Sequence, residues 1–212
     1  MARATPTGRP AQTRPPVRRT QAERRTATRA ALLNAARELF AERGYAATGR
    51  EDIAARAGVT RGALYHHFAN KAEAFEAVVD ELDAELLARV ISAAQRGTGP
   101  LDQLRRAARA YIDACTEPAI ARILLTDAPT VLGWVALRAR SAATCQALLE
   151  GVLDRDGIDV PGAPDVTAAL LLGLLDEAAL LVASAPDPRA ERTRIRSTVD
   201  ALLVKLLTPL TP

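Results

Sequence analysis

The sequence predicts an all-α protein, and three observations support this fold class. Ala and Leu are the commonest apolar residues, and both favour helices over sheets. Apolar positions recur at a helical spacing along most of the chain, whereas no stretch shows the alternation of a strand or the turn of a hairpin. Proline recurs where the periodic stretches begin, and it suits a first helical turn because its missing N–H would be unpaired there.

The periodicity predicts about nine helices. Gly44 is expected to end the first helix, and Asp127 is placed to cap the long helix predicted from residue 129. Asn70 and Asp187 are placed to cap two further helices in the same way. The predicted helices span residues 26–43, 51–57, 61–68, 71–96, 100–115, 118–125, 129–154, 164–184 and 188–207.

Charge is distributed unevenly along the chain. Residues 1–71 hold 14 Arg or Lys and five Asp or Glu, a formal charge of +9, so the remainder carries −6 of the total of +3. Such asymmetry favours a polyanion-binding end joined to an acidic body. Because residues 1–22 are rich in Pro, Thr and Arg, we predict a disordered basic arm there. Residues 23–70 are predicted to form a helix-turn-helix domain and residues 71–212 a helical ligand-binding and dimerisation domain.

Several classes of protein are excluded by the same composition. The cysteines, Cys115 and Cys145, lie far apart with no CxxC partner, which favours reduced thiols in the cytosol. The longest apolar stretch is interrupted by Asp176 and Glu177, which argues against a membrane span. No cluster predicts a metal, a cofactor or a catalytic nucleophile, so we do not expect an enzyme.

The segment "EDIAARAGVTRGALYHHF" predicts two short helices joined by a tight turn. Ile53 is expected on the apolar face of the first helix and Leu64 on that of the second, and Ala54 is small where the two helices would cross. Gly58 stands where the turn needs a positive φ, and Thr60 is placed to cap the second helix. This is a helix-turn-helix pattern, whose second helix enters the major groove of DNA.

The outward face of the second helix carries the side chains that suit DNA. Arg61 can donate two hydrogen bonds to guanine, and Gly62 allows close approach to the groove floor. Tyr65 and His66 can bond phosphates or base edges. A metal site at the two adjacent histidines would need a third ligand, and none lies nearby in the sequence.

Thr48, "AARELFAERGYAAT" and "DIAARAGVTRGALYHHFANK" resemble the N-terminal domain of the TetR family of bacterial regulators, over about residues 26–75. The resemblance implies a homodimer in which a fourth helix links each three-helix DNA-binding domain to an all-α ligand-binding domain. It implies phosphate contacts from Thr48, Tyr65 and Lys71, and Arg50 would add one where the chain departs from the usual pattern. The predicted DNA-binding residues are Thr48, Arg50, Thr60, Arg61, Gly62, Tyr65, His66 and Lys71.

The last two helices are expected to form the dimer interface. Helix 164–184 is apolar nearly all round, so one monomer core would not cover it. Helix 188–207 has a narrower apolar stripe. The family resemblance implies that both helices pair with their symmetry mates.

A ligand pocket is expected among the middle helices. Asp176 and Glu177 are unusual there, because an unpaired buried carboxylate is costly. They either pair with an arginine or lie at the dimer seam, or one of them recognises a cationic or hydroxylated inducer. The candidate pocket residues are Tyr111, Cys115, Ile123, Trp134, Leu137, Arg138, Cys145, Leu174 and Glu177.

Together these patterns predict a dimeric regulator of transcription in the bacterial cytoplasm, which represses from a palindromic operator and is released by a small-molecule inducer. Its partners would be double-stranded operator DNA and that inducer. The alternative is an architectural DNA-binding protein that responds to no ligand.

Overall fold

The computed structural model describes residues 20–141, 145–154, 158, 160 and 162–208, and in this part of the chain the regular secondary structure is all helical, with no strand. The all-α prediction is confirmed. We call residues 20–70 the head and residues 71–208 the body. The helices are α1 (Gln21–Ala47), α2 (Arg50–Arg56), α3 (Arg61–His67), α4 (Lys71–Ala94), α5 (Pro100–Ala114), a π-helix (Ile120–Asp127), α6 (Ala128–Leu132), α7 (Trp134–Ser141), α8 (Ala147–Leu153), α9 (Pro164–Ser184) and α10 (Pro188–Leu207).

Helix α1 begins five residues earlier than the apolar pattern predicts. The Thr20 hydroxyl accepts from the backbone N–H of Glu23, whose carboxylate accepts from the Thr20 N–H. This capping box starts the helix at Gln21, so residues 21 and 22 belong to α1 rather than to an arm. The rest of the predicted arm, residues 1–19, lies outside the described residues. Gly44 has φ of 79° and breaks α1 where the sequence predicts its end.

In the middle of the body, two helices differ from those that the sequence predicts. Residues 120–127 form a wide π-helix that continues into α6 without a break. The helix predicted over 129–154 is interrupted at Gly133, whose φ of 86° is incompatible with a continuous helix. Asp127 does not cap α6, because its side chain bonds the head instead. Helical periodicity continues across these sites, so it could not reveal either change.

Two hydrophobic clusters form the core. The first joins α1, α2 and α3 of the head to α4, the π-helix and Ala179 of α9, and it contains all three phenylalanines. The second joins α5, α8, α9 and α10 and is built from aliphatic side chains. The head therefore shares its core with the π-helix, so the body's middle helices contact the head directly.

Helices α9 and α10 leave apolar side chains exposed. On α9 two exposed apolar residues lie near each end of the helix, on one side of it by helical spacing, and Leu170 is 70% exposed. Helix α9 is long and apolar enough to cross a membrane by length and composition alone, and a third of that stretch is buried here. The large exposed residues of the two helices are Val166, Leu170, Leu180, Leu181, Leu202 and Leu206.

Candidate nucleic-acid interface and ligand site

Helices α2 and α3 have the predicted helix-turn-helix geometry. Ile53 and Leu64 are fully buried between them, and Ala54 is buried at the crossing. Gly58 adopts φ of 66° in the turn. The Thr60 hydroxyl accepts from the backbone N–H of Ala63 and so caps α3. These four predictions of local structure are confirmed.

The exposed face of α3 gathers cationic side chains around one aromatic ring. The guanidinium of Arg50 lies 4.7 Å from the centre of the Tyr65 ring, and that of Arg61 lies 6.0 Å from it. Arg61 also pairs with Glu51 across the turn at 2.7 Å. His66 is exposed on the same helix. Because both partners of the Arg61–Glu51 pair are highly exposed, it stabilises the fold little and is easily exchanged for another anion.

Gly62 has no structural need to be glycine. A Cβ atom built at this position would meet nothing within 4 Å, and the backbone is helical rather than left-handed. Glycine in a helix costs about 1 kcal/mol relative to alanine. Among the described residues, no contact or backbone conformation requires a glycine there to offset this cost.

Two residues predicted to contact DNA phosphates make hydrogen bonds within the chain instead. Thr48 is 1% exposed, and its hydroxyl donates to the backbone carbonyl of Gly44 over 2.8 Å. Lys71 donates to the carbonyl of Tyr45 over 2.8 Å and lies above that ring. In this conformation both side chains fix the junction of α1, α2 and α4. A direct bond from either one to a phosphate would require these hydrogen bonds to be exchanged.

A basic cluster that the sequence patterns did not reveal lies at the beginning of α1. Arg29 lies with its guanidinium 4.7 Å from the centre of the Phe68 ring. Burial, together with nearby Arg25 and Arg29 and neighbouring His66, lowers the pKa of His67. The T-x-x-E capping signal of residues 20–23 predicts this helical extension, and it would have placed both arginines on one helical face next to α3.

A polar cluster lies in the body between the two hydrophobic clusters. The Tyr111 hydroxyl donates to the Asp176 carboxylate over 2.8 Å, and Arg138 lies 3.7 Å from the same carboxylate. Burial raises the pKa of Asp176, although Tyr111 and Arg138 oppose that shift. Burial also raises the pKa of Cys115 to about 12. The nearby Cys145 thiol has a raised pKa for the same reason. Four predicted pocket residues, Tyr111, Cys115, Arg138 and Cys145, are therefore close to Asp176. Leu174 of α9 packs against the second hydrophobic cluster.

The other predicted pocket residues lie outside this polar cluster. Glu177 is exposed on α9, so Asp176 is the carboxylate that enters the cluster. Trp134 is 53% exposed and packs beside Arg138 rather than within the body. Ile123 is fully buried in the first hydrophobic cluster, and Leu137 packs against it.

Two clefts of the described surface lie away from the predicted pocket residues. Two shallow clefts, of about 200 and 410 Å³, lie beside α4 and α5 and beside α1, and no predicted pocket residue lines either one. Within the described residues, no group of three or more His, Cys, Asp or Glu side chains is arranged to hold a metal ion.

Comparison with known proteins agrees with this architecture. The family model described as "Bacterial regulatory proteins, tetR family" matches residues 32–78, and that described as "Tetracyclin repressor-like, C-terminal domain" matches residues 101–206. A crystal structure of a TetR-family transcriptional regulator from Pectobacterium atrosepticum is 37% identical, with a TM-score of 0.76, and covers 91% of this chain and 100% of that one. AibR, in complex with isovaleryl coenzyme A and operator DNA, is 26% identical, with a TM-score of 0.63, over 86% of this chain and all of that one.

Curated relatives match at the N-terminal end. The transcriptional regulator TtgR of Pseudomonas putida is 53% identical over 66 residues, 31% of each chain. The transcriptional activator FasR of Mycolicibacterium smegmatis is 41% identical over 85 residues, which is 40% of this chain and 39% of FasR. The chain thus aligns with less than half the length of these relatives. The two family models and the similarity to the Pectobacterium regulator over 91% of the chain show that this chain belongs to the TetR family of bacterial transcriptional regulators.

Proposed function

We propose that this protein is a ligand-responsive transcriptional repressor that binds a palindromic operator as a homodimer and is released by a small-molecule inducer. It acts in the bacterial cytoplasm, on the nucleoid. The proposal has three parts, namely DNA recognition by the head, dimerisation through α9 and α10, and ligand binding in the body.

The proposal of DNA recognition rests mainly on the glycine at position 62. It weakens α3 by about 1 kcal/mol, yet no neighbouring atom of the protein would contact a side chain there. A glycine that the fold does not use is explained by a surface that approaches from outside. The floor of the major groove is such a surface, because a recognition helix contacts base edges with residues near its N-terminus.

The surrounding side chains suit the same partner. Arg61 would leave Glu51 for a guanine, where it can donate two hydrogen bonds. Arg50 and Tyr65, already stacked, would contact the phosphates beside it. Arg25, Arg29 and His67 would extend the contact along the backbone from the other side of α3. Thr48 and Lys71 support the contact by holding the head together.

Dimerisation is supported by the exposed apolar stripes of α9 and α10. Such a surface is costly in water and is typical of an interface between subunits. Pairing these helices around a two-fold axis would carry one head on each side. Two recognition helices then meet successive turns of the major groove, about 34–36 Å apart, which is why a palindromic operator is expected.

Ligand binding is supported by the polar cluster around Asp176. A carboxylate, a phenol and a guanidinium placed between two apolar clusters can orient a small molecule that has both polar and apolar parts. Among similar structures, AibR is described in complex with isovaleryl coenzyme A and operator DNA. An inducer would release DNA only if it binds the DNA-incompetent state more tightly.

Selection of bound sites from random duplex DNA, with the full chain at near-physiological salt, tests the proposal. We expect an enriched palindrome with half-sites about one helical turn apart. Screening small molecules against that operator then tests for an inducer. Binding without an enriched sequence, lost steeply as salt rises, would instead support the architectural alternative.

A further inference from the structure

The break in α1 exposes backbone groups that need partners from outside the helix. Gly44, with φ of 79° and ψ of 170°, interrupts the helical hydrogen bonds, and an unpaired buried N–H or carbonyl is costly. Two of the partners come from elements at the head's own junction. Thr48 donates to the carbonyl of Gly44, and Lys71 donates to the carbonyl of Tyr45.

The other two partners come from the π-helix of the body. The Asp127 carboxylate accepts from the backbone N–H of Tyr45 over 2.7 Å. The Arg122 guanidinium donates to the carbonyl of Arg43 over 3.3 Å, and its Nε lies 3.8 Å from Asp127 Oδ2. One ion pair of the body therefore bonds the chain on both sides of the break. We call this pair the clamp.

The clamp also requires a glycine at the break. A Cβ atom at Gly44 would lie 2.4 Å from Nη2 of Arg122 and 2.9 Å from its Nε. The guanidinium thus occupies the space of the missing side chain. Glycine is needed both for the positive φ and for this approach, so a feature of the head sequence is explained by a residue of the body.

The clamp lies on a helix whose core residues belong to both the head and the body. Ile123 follows Arg122 in the π-helix and is fully buried in the hydrophobic cluster that the head shares with the body. Wide π-turns within helices are uncommon and often occur at functional sites. Any movement of the π-helix would therefore act on the break in α1 through Arg122 and Asp127.

We propose that Arg122 and Asp127 are positioning residues for DNA binding, which fix the angle between the head and the body by clamping the chain at Gly44. This inference rests on the proposed function, because a fixed angle matters to a dimer whose two heads must meet two half-sites. An inducer that displaces the π-helix would release the heads from that angle.

The first test is amide hydrogen exchange in the free, full-length protein. Asp127→Ala removes the acceptor of the Tyr45 N–H, and we expect residues 43–48 to exchange at least about tenfold faster than in the wild type. Asp127→Asn keeps an oxygen acceptor and should rescue part of the protection. Unchanged exchange in Asp127→Ala would overturn the proposal, because the break would then be held by other contacts.

The second test measures spacing selectivity on the selected operator. The wild type should lose affinity when one or two base pairs are inserted between the half-sites. Asp127→Ala and Arg122→Ala should bind the native spacing about tenfold more weakly and discriminate less against the insertions. Their affinity for a single half-site should stay within about twofold of the wild type. An equal loss on every duplex, including the half-site, would overturn the proposal by indicating damage to the head itself.

The matched control is Glu117→Gln, which breaks the Arg89–Glu117 ion pair within the body. It should change neither the exchange of residues 43–48 nor the spacing selectivity. If the wild type selects no operator, the proposed function fails, and the exchange experiment, which needs no DNA, still decides whether the clamp holds the break. If an operator is selected but exchange and spacing are unaffected by Asp127→Ala, only the clamp fails.

Discussion

The head and the body differ in how far one chain completes them. The core of the head is completed by Phe75 of α4, whose ring makes edge-on contacts with Phe40 and Tyr45 of α1, at 5.1 and 4.9 Å between ring centres, and both phenylalanines are fully buried. In the body, α9 and α10 each present an uncovered apolar stripe. The head is thus a finished core on its own chain, whereas the body has the surface of a subunit that still needs a partner.

The arginines of the head and of the body also differ in the groups that they contact. Arg105 and Arg109 of the body converge on Asp200. The hydrogen bond from Arg105 lowers the pKa of that carboxyl, although burial opposes the shift. In the head, Arg29 and Arg50 lie against aromatic rings instead of carboxylates. Cations without carboxylate partners attract an external polyanion. Arg29 and Arg50 of the head therefore leave their charge available to such a partner, whereas Arg105 and Arg109 of the body are paired with Asp200.

The largest expected effect tests whether the head core is complete. Phe75→Ala should lower the free energy of unfolding by about 3–5 kcal/mol, because it leaves a cavity among packed aromatic rings. Chemical denaturation measures this loss. Val135→Ala, at a residue that is 82% exposed on α7, is the control and should change stability by less than about 0.5 kcal/mol. Equal effects would mean that the head is no better packed than the surface of the body.

The next effect tests whether the body is incomplete. Leu170→Asp places a charge in the exposed stripe of α9, and a two-fold interface would bury it twice. We expect the dimer dissociation constant to rise at least about 100-fold, since burying each leucine contributes about 1.5–3 kcal/mol. Analytical ultracentrifugation measures it. Val135→Asp should leave association unchanged, and a Leu170→Asp protein that still dimerises like the wild type would place the interface elsewhere.

Arg61 tests the outward charge of the head. Arg61→Ala should weaken binding to the selected operator by about 1–3 kcal/mol and relax base preference at one position. It should leave stability nearly unchanged, because the Glu51 pair is exposed. Binding to a panel of operator variants measures the base preference. An equal loss on all sequences would make Arg61 a phosphate contact instead.

Gly62 gives a smaller effect with opposite signs in two assays. Gly62→Ala should stabilise the free protein by up to about 1 kcal/mol, because alanine favours helix and its methyl group meets no neighbour. The same change should weaken operator binding, because the methyl group meets the groove. Thermal unfolding measures the change in stability, and a binding titration measures the change in operator affinity. A variant that is stabler and binds equally well would remove the main support for groove contact at Gly62.

The smallest effect is a pH dependence of the head. Burial, together with Arg25, Arg29 and His66, lowers the pKa of His67 below its ordinary value of 6.5. The unfolded chain therefore takes up a proton before the folded chain does as the pH falls below about 6.5. Stability should fall through that window, down to the lowered pKa. Denaturation between pH 5 and 7 measures the slope, which we expect to be shallower in His67→Gln and unchanged in a variant of exposed Arg189.

Local chemistry explains which parts of the structure the sequence predicted. The turn needed a positive φ at Gly58, and Thr60 capped the following helix, because both effects depend on neighbouring residues alone. The apolar spacing likewise placed α9 and α10 within the residues where the structure has them. The T-x-x-E box at Thr20 carried an equally local signal for the beginning of α1.

The candidate ligand site was less predictable because it depends on contacts across the fold. Asp176 and Glu177 are neighbours in the sequence, and their side chains point about 100° apart around the axis of α9. Only packing decides which one meets Tyr111. The break at Gly133, which exposes Trp134, also lies within a continuous helical pattern.

The sequence by itself determined the helical fold, the helix-turn-helix and the family, since periodicity, caps and turn glycines act within a few residues. Only the tertiary structure decided the partners of the polar groups. Lys71 bonds the carbonyl of Tyr45, and Asp127 bonds its N–H instead of capping a helix. These two side chains are separated from Tyr45 by 26 and 82 residues. A hydrogen bond depends on where two groups meet in space, and that position follows from how the whole core packs.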